Sequence, residues 1–458
     1  MGLRVRCAVA AGKLVGRLSR TLGLGGGTTL PGRVARTVAP GVVRDLAGRL
    51  GRGCVLLSGT NGKTTSARLL AEILREAGWR PIHNRAGANL PAGVASALVE
   101  AADARGHLRG EIGVFEVDEA TLPGLIEVLR PRLVVLLNLF RDQLDRYGEV
   151  EAVARRWRAA LAGTDATICF NADDPQVADV VRGRSPSLPF GVEDDGCRKD
   201  VLEDAADVRY CYRCGTPYTY AAVYLSHLGR YVCGRCGLGR PEPVVCARSI
   251  TLAGTRGLAM EIVHPEGHLH VRTALPGLYN AYNILAAAAA ALALRIPPGA
   301  IQRAVEHFRP AFGRAERLRW EGRELVVLLG KNPAGLNELL RTVAQEVPQA
   351  ILIAINDRIA DGRDVSWLWD VDFERLADLD VPVVTSGLRA LDCALRLKYA
   401  GVPEDRIVVE PDLGRALQAA IRAAPKSGTV VALPTYTAML DLRRTLERLG
   451  AVCSFWED

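Results

Sequence analysis

Ser58-Gly59-Thr60-Asn61-Gly62-Lys63-Thr64-Thr65 follows the apolar run Cys54-Val55-Leu56-Leu57. It precedes residues 66–77, where Leu69, Leu70, Ile73 and Leu74 share one face at helical spacing. Strand, glycine-rich turn and helix is the order a phosphate-binding loop needs. Glycines let N–H groups face an anion, and the helix N-terminus adds partial positive charge. Lys63 can reach the β/γ-phosphates of a nucleotide, and the Thr64 hydroxyl can bind Mg2+. Gly59, Thr60, Asn61, Gly62 and Thr65 complete the candidate cradle. The general loop pattern has a further glycine where this chain has Leu57. A solvated lysine on an ordinary turn is the competing reading, and the strand-to-helix setting argues against it.

Outward from this loop, apolar runs at 112–117, 133–137 and 166–170 alternate with helical stretches. That rhythm predicts a parallel sheet with helices on its faces. Glu116 ends the first of these runs, and open α/β sheets gather ligands at the carboxyl ends of strands. A carboxylate there suits Mg2+, a hard cation. Alternatively, Glu116, Asp118 and Glu119 only solvate a loop. Helix returns at 281–294, before the breaker Pro297-Pro298. Runs at 325–329, 350–355, 381–385, 407–409 and 429–433 predict a second, Rossmann-like α/β unit. The expected division is a basic segment at 1–50, a nucleotide-binding unit at 51–315 with an insertion at 205–245, and a C-terminal unit at 316–458. The boundary is expected near 314–320.

The 458 residues are 49% hydrophobic and 24% charged. These proportions exclude a disordered chain, a collagen and a disulfide miniprotein. With only 5% aromatics, the core must come from Ala, Val and Leu. The longest apolar run, 284–294, falls short of the roughly 18–20 residues a membrane span needs. No secretory signal is read at the N-terminus. Net charge is +7. Residues 1–50 hold nine basic groups (Arg4, Arg6, Lys13, Arg17, Arg20, Arg33, Arg36, Arg44, Arg49) against Asp45, a local charge of about +8. The remainder is near neutral, which argues against a general nucleic-acid coat. The basic segment reads as a solvated helix face, or as a patch drawn to an anionic membrane, where each basic group contributes about 1 kcal/mol.

Cys211-x-x-Cys214 and Cys233-x-x-Cys236 are separated by eighteen residues. Paired knuckles of this kind offer Zn2+ four thiolates in a closed, structural site, a zinc ribbon inserted in the first unit. Gly215 and Gly237 follow each second cysteine and fit the tight turns. A redox dithiol pair is the alternative, and Cys246 lies outside the spacing. Eleven cysteines, an odd number, suit a reducing cytosol better than a disulfide framework. In the second unit Asp357, Asp361, Asp364, Asp370 and Asp372 crowd one stretch beside Trp367 and Trp369. Such density after a strand end is more than solubility requires; a solvated acidic loop is the alternative.

Taken in order, the phosphate loop, Asn138 to Tyr147, Asn171 to Pro175, Gly277 to Asn283 and Gly313 to Glu316 resemble the signatures of Mur ligases. Lys331 to Asn337, Asn356 to Trp367, His83 to Asn89 and the cysteine module resemble more narrowly the MurT family, synthetase subunits of lipid II isoglutaminyl synthase. The resemblance implies that ATP phosphorylates the α-carboxylate of D-glutamate in the lipid II stem peptide. Ammonia from a glutaminase partner, GatD, then yields D-isoglutamine. It implies that Lys63 and Thr64 bind phosphates and Mg2+, that Glu116 binds Mg2+, that Asn280 and Asn283 lie near the adenine, and that Arg314 lies near the phosphates. Lys331, Asn332 and Asn337 would face the same cleft, against a simple capping turn at Asn332-Pro333. Asp364, with Asp361 in reserve, would complete the partner's catalytic triad by orienting its imidazole. Gln143 stands where such ligases usually have a histidine. A cytoplasmic location, peripheral at the inner membrane face, follows from the substrate.

Two rivals remain open at this level. One is another Mur-type ligase, such as a folylpolyglutamate synthetase. The other is a zinc-ribbon NTPase that binds nucleic acid through Arg209, Arg213, Arg230, Arg235 and Arg240. The MurT resemblance itself implies no nucleic-acid partner.

Overall fold

The computed structural model describes residues 2–21, 29–84, 88–103, 105–141, 150–202, 206–310 and 313–451, without the side chains of Arg20 and Arg314. Helices α1 (Leu3–Thr21), α2 (Leu30–Val38) and α3 (Val42–Ala47) lead into β1 (Cys54–Ser58) and α4 (Lys63–Glu76). There follow β2 (Pro81–His83), α5 (Pro91–Ala101), β3 (Ile112–Glu116), α6 (Leu122–Leu129), β4 (Leu133–Leu136), α7 (Val150–Ala162), β5 (Thr167–Asn171), α8 (Pro175–Val181) and β6 (Ser187–Val192). A hairpin, β7 (Tyr218–Leu225) and β8 (Leu228–Cys233), stands apart from the main sheet. Then come β9 (Val245–Leu252), β10 (Leu258–His264), β11 (Gly267–Thr273), α9 (Leu278–Ala293) and α10 (Pro298–His307).

The first sheet has nine strands in the order β11-β10-β9-β6-β5-β4-β1-β3-β2. The four apolar runs read from the sequence are β1, β3, β4 and β5, paired in parallel. The sheet is mixed, however: β10 pairs antiparallel with both β9 and β11. On one face α4, α9 and α10 pack on the sheet. On the other lie α1–α3 and α5–α8. Leu69, Leu70, Ile73 and Leu74 of α4 are fully buried, so truncating any one to alanine costs about 2–5 kcal/mol. Ala286 to Ala291 of α9 are also fully buried. Their small side chains let α9 approach α4 and the strands closely, and that is where the longest apolar run goes.

The basic N-terminal segment is built into this unit. Val5, Ala8, Val9, Ala35, Val42, Val43 and Leu46 are buried in one core with α5. Arg6, Arg17 and Arg36 stay on the exposed side. Among the described residues, no helix is long and apolar enough to cross a membrane.

The second unit comprises β12 (Arg314–Trp320), β13 (Arg323–Leu328), α11 (Pro333–Ala344), β14 (Ala350–Ala354), β15 (Val383–Ser386), α12 (Ala390–Tyr399), β16 (Ile407–Val409), α13 (Leu413–Ala423), β17 (Thr429–Pro434) and α14 (Tyr436–Arg448). Its sheet runs β12-β13-β17-β14-β15-β16, parallel except for β12. The stretch expected to be the boundary is therefore the edge strand β12, hydrogen-bonded to β13. The junction lies before it.

Candidate active site

The loop between β1 and α4 is closed by two glycines in the left-handed region, Gly59 at φ 147° and Gly62 at φ 87°. A Cβ on Gly62 would lie 2.0 Å from Asn283 Oδ1, and one on Gly59 would lie 2.9 Å from the Asn138 backbone. Only glycine satisfies both demands. The Thr60 and Asn61 N–H groups donate to the Asn138 carbonyl (2.9 Å) and side-chain Oδ1 (2.8 Å). The end of β4 thus holds the loop. Asn283 donates to Asn280 Oδ1 at 2.9 Å, and Asn280 donates to the Pro276 carbonyl at 2.7 Å. That chain fixes both amides beside the loop.

Lys63 opens α4. Its ammonium donates to the Gly59 carbonyl and pairs with Glu119 at 3.0 Å, both side chains about nine-tenths buried. Glu119, for which solvation of a loop is the alternative reading from the sequence, is the lysine's counter-ion. Its carbonyl accepts from Trp157 Nε1 at 2.8 Å. Asn84 exchanges hydrogen bonds with the Glu116 backbone, accepting at 3.0 Å and donating at 2.9 Å. Glu116 is buried at the end of β3, in register with Leu57.

Both units line one cavity of about 320 Å3, the size of a small-molecule site. Thr60–Thr65, Asp118, Glu119, Asn280 and Asn283 come from the first unit, Lys331 and Gly335 from the second. Gly59 and Glu116 do not line it directly. The Arg314 side chain and Gln143 lie outside the described residues. Asn332 caps α11, its Oδ1 accepting from Gly335 N at 2.8 Å. It also bridges to Asn61 of the phosphate loop, but it is buried and does not itself line the cavity, so the capping reading describes it. Asn337 does not face the cavity. It is fully buried and its Oδ1 accepts from Asp372 N at 2.8 Å, at the end of the acidic loop.

The five loop aspartates differ in setting. Asp357 pairs with Arg389 at 2.7 Å, and Asp370 lies 3.7 Å from Arg141 of the first unit. Asp361 is buried; it accepts from Thr437 N at 2.7 Å and from the Thr437 hydroxyl, tying the loop to the start of α14. Burial holds its carboxyl above the usual range. Asp364 is exposed and accepts from Ser366 N at 2.8 Å; hydrogen bonds from Ser366 hold its carboxyl below the usual range. Of the two triad candidates, Asp361 is committed to the fold and Asp364 faces outward. Nearby, Leu388, Leu391, Leu395 and Tyr399 form an exposed apolar ridge along α12, and Trp369 packs on Tyr399 with ring centroids 5.7 Å apart.

The four paired cysteines converge, their sulfurs all within 4.8 Å of one another. Cys211 and Cys236 are 3.5 Å apart, Cys214 and Cys233 3.4 Å. Four thiolates at the Zn–S distance around one ion would stand about 3.8 Å apart, so the donor set fits a tetrahedral ion. Gly215 N donates to Cys211 O (2.8 Å) and Gly237 N to Cys233 O (2.9 Å), closing the two knuckles. Cys246 lies on β9, outside the cluster. Of the five arginines around the module, Arg240 is buried against Asp173 and Glu193, and Arg230 pairs with Asp195.

The chain matches a Mur ligase middle-domain family over residues 57–213 and a MurT ligase C-terminal family over 329–439. It is 32% identical over 450 residues to the MurT subunit of lipid II isoglutaminyl synthase (glutamine-hydrolyzing) from Staphylococcus aureus (strain N315), covering 97% of this chain and 98% of that one. The Streptococcus pneumoniae MurT subunit (strain ATCC BAA-255 / R6) is 31% identical over 448 residues, 95% and 96% of the two chains. In fold it resembles a pseudomurein peptide ligase type C from Methanothermus fervidus (TM-score 0.68, 21% identity, 87% and 79% covered). It also resembles a MurF ligase from Thermotoga maritima solved with ADP (TM-score 0.64, 14% identity, 91% and 85% covered).

Proposed function

Because the chain belongs to the MurT family of ATP-dependent Mur ligases, we propose that it amidates the D-glutamate α-carboxylate of lipid II through an acyl phosphate. The observation that carries this reading is the single cavity closed by the phosphate loop of one unit and by Lys331 and the α11 N-terminus of the other. ATP enters with its phosphates on the N–H groups of residues 62–65, the Thr60 and Asn61 N–H groups being held by Asn138. Lys63 exchanges its loop carbonyls for phosphate oxygens, while Asn280 and Asn283 stand on the nucleotide side. Thr64, which lines the cavity, would hold Mg2+, which supplies charge neutralisation on the phosphates; Glu116, buried behind the lining, is assigned to the ion, and Arg314 to the phosphates, from their motifs alone.

The carboxylate oxygen attacks the γ-phosphorus, and ADP leaves. Ammonia adds to the acyl carbon of the resulting acyl phosphate, and inorganic phosphate departs with the C–O bonding pair. The amide is uphill from a free carboxylate in water, so coupling to ATP is required. Positioning the two reactants and stabilising phosphate charge supply the rate.

The nitrogen comes from a glutaminase subunit, GatD, docked on the α12 ridge, with Asp364 orienting its catalytic imidazole. The exposure of Asp364, and the packing of Trp369 from the same loop on Tyr399 of the ridge, support this placement. The cysteine cluster holds a structural Zn2+. The enzyme works in the cytoplasm, with the basic face of α1 and α2 against the inner membrane leaflet that carries its substrate.

The test is phosphate release by the purified complex. It should require ATP, lipid II and a nitrogen source together, and lipid II should gain one amide. Nucleotide hydrolysis indifferent to lipid II would defeat the reading.

A further inference from the structure

The hairpin that carries the cysteine cluster reaches the nucleotide cavity. Its turn, Leu225-Ser226-His227-Leu228, sits at the end away from Cys233, and both leucines line the cavity beside the phosphate loop, Asn280 and Tyr282. The imidazole of His227 is fully buried, with its centroid 4.8 Å from Phe140 and Nε2 3.5 Å from Asp174 Oδ2. Asp174 in turn accepts from Leu139 N at 2.8 Å, and Phe140 N donates to Thr60 Oγ1 at 2.9 Å. The turn therefore leans on the segment that holds the loop.

The module's exit makes a second attachment. Arg240, four residues past Cys236, is 2.6 Å from Asp173, whose other oxygen accepts from the Tyr282 hydroxyl at 2.6 Å. Gly229 N donates to Asp173 O at 2.9 Å. Tyr282 lies between the two asparagines of α9 and lines the cavity. A two-stranded hairpin is marginal by itself in water. Here Tyr218 and Tyr231 anchor the hairpin in the core, and the four sulfurs meet at its open end.

We propose that the cysteine module is a metal-clamped wall of the nucleotide site: its turn presents Leu225 and Leu228 as an apolar subsite for the nucleobase, and metal at the four cysteines keeps that wall in place. The inference rests on the nucleotide reading above and adds a binding role for the module.

The test is ADP affinity of the full chain by calorimetry, with metal content and far-UV circular dichroism measured on each sample. Leu228→Ala, which keeps all four cysteines, should bind ADP about tenfold more weakly at unchanged metal content, as expected for lost apolar contact in a pocket. Chelator-stripped protein and Cys236→Ser should show at least the same loss while the far-UV spectrum persists. Leu228→Ala decides the matter even where a stripped sample unfolds. Wild-type affinity in Leu228→Ala, or in folded stripped protein, overturns the wall. Metal-loaded wild type that binds no ADP instead overturns the nucleotide reading on which it rests.

Discussion

Asn61 and Asn332 exchange amide hydrogen bonds across the two units: Asn332 Nδ2 donates to Asn61 Oδ1 at 3.0 Å, and Asn61 Nδ2 donates to Asn332 Oδ1 at 3.4 Å. One residue belongs to the phosphate loop and the other caps α11. Five residues further along that helix Asn337 holds Asp372, at the end of the acidic loop. One helix therefore touches both the nucleotide cradle and the loop assigned to the partner.

Asn332→Ser separates the two roles of this residue. Serine caps a helix about as well as asparagine, so stability should change by no more than about 0.5 kcal/mol. It is too short to reach Asn61. Losing that bridge removes about 1–2 kcal/mol of organisation in the nucleotide loop, so KM for ATP should rise about tenfold. Thermal unfolding and steady-state kinetics on the same sample check both halves.

The cysteine cluster should release its metal only in acid. Hydrogen bonds from the Thr216 hydroxyl and backbone N–H bring the Cys214 thiol down to about 6. A ligand must be thiolate to bind, so protons compete with metal as pH falls, and bound metal pushes the effective midpoint lower still. Cys236, which desolvation and its neighbouring sulfurs raise to about 11, must also be thiolate to bind, so release followed with a chromophoric chelator should be absent at neutral pH and above and grow as pH falls into the acid range. A midpoint above neutrality would contradict the four-thiolate assignment.

The ridge on α12 should carry the partner. Leu391 is 72% exposed and one turn from Leu388 and Leu395. Leu391→Asp buries a charge in the centre of a docking face, and central hot-spot positions contribute about 2 kcal/mol or more. Glutamine-driven amidation should fall about thirtyfold at fixed partner concentration, while ammonium-driven amidation stays at the parent rate. Co-elution of the two subunits on size exclusion gives an independent readout.

The basic face of the N-terminal helices is tested by charge reversal, since deletion would remove core residues such as Val5 and Val9. Arg6, Arg17 and Arg36 are exposed. At about 1 kcal/mol per basic group near an anionic surface, replacing all three by glutamate should weaken binding to phosphatidylglycerol vesicles by at least a hundredfold. Neutral vesicles should show no difference. Equal binding to both vesicle types by the parent protein would remove the membrane role.

Much of this was legible in the chain. The parallel strands were visible because each is a short, fully apolar run, and the phosphate loop because its glycines and lysine keep a fixed spacing. The antiparallel extension β9–β11 was not read. These strands are half exposed, and in β11 His268 and His270 alternate outward with Leu269 and Val271 inward, a period-2 pattern that shows no continuous apolar run. The boundary expected near 314–320 falls on an edge strand, β12, whose charges mask it in the sequence. The Lys63–Glu119 pair depends on how the chain turns after β3, which no local pattern encodes. The placement of Asn337 could have been foreseen. Five residues of helix turn it about 140° from Asn332, too far for both to face one cleft. Asp364 and Asp361 differ only through tertiary contacts, as Thr437 is far along the chain.

The most direct test of the account crosses two variants with two nitrogen sources. Lipid II amidation is measured by mass spectrometry for Lys63→Ala and Asp364→Asn, each with glutamine and with free ammonium, in the presence of ATP and the glutaminase subunit. Asp364→Asn should lose at least a hundredfold with glutamine and recover to the parent rate with ammonium, whereas Lys63→Ala should fail with both. Equal rescue of the two variants by ammonium, or of neither, would contradict a division between a nucleotide site that activates the carboxylate and a distant aspartate that serves the release of ammonia.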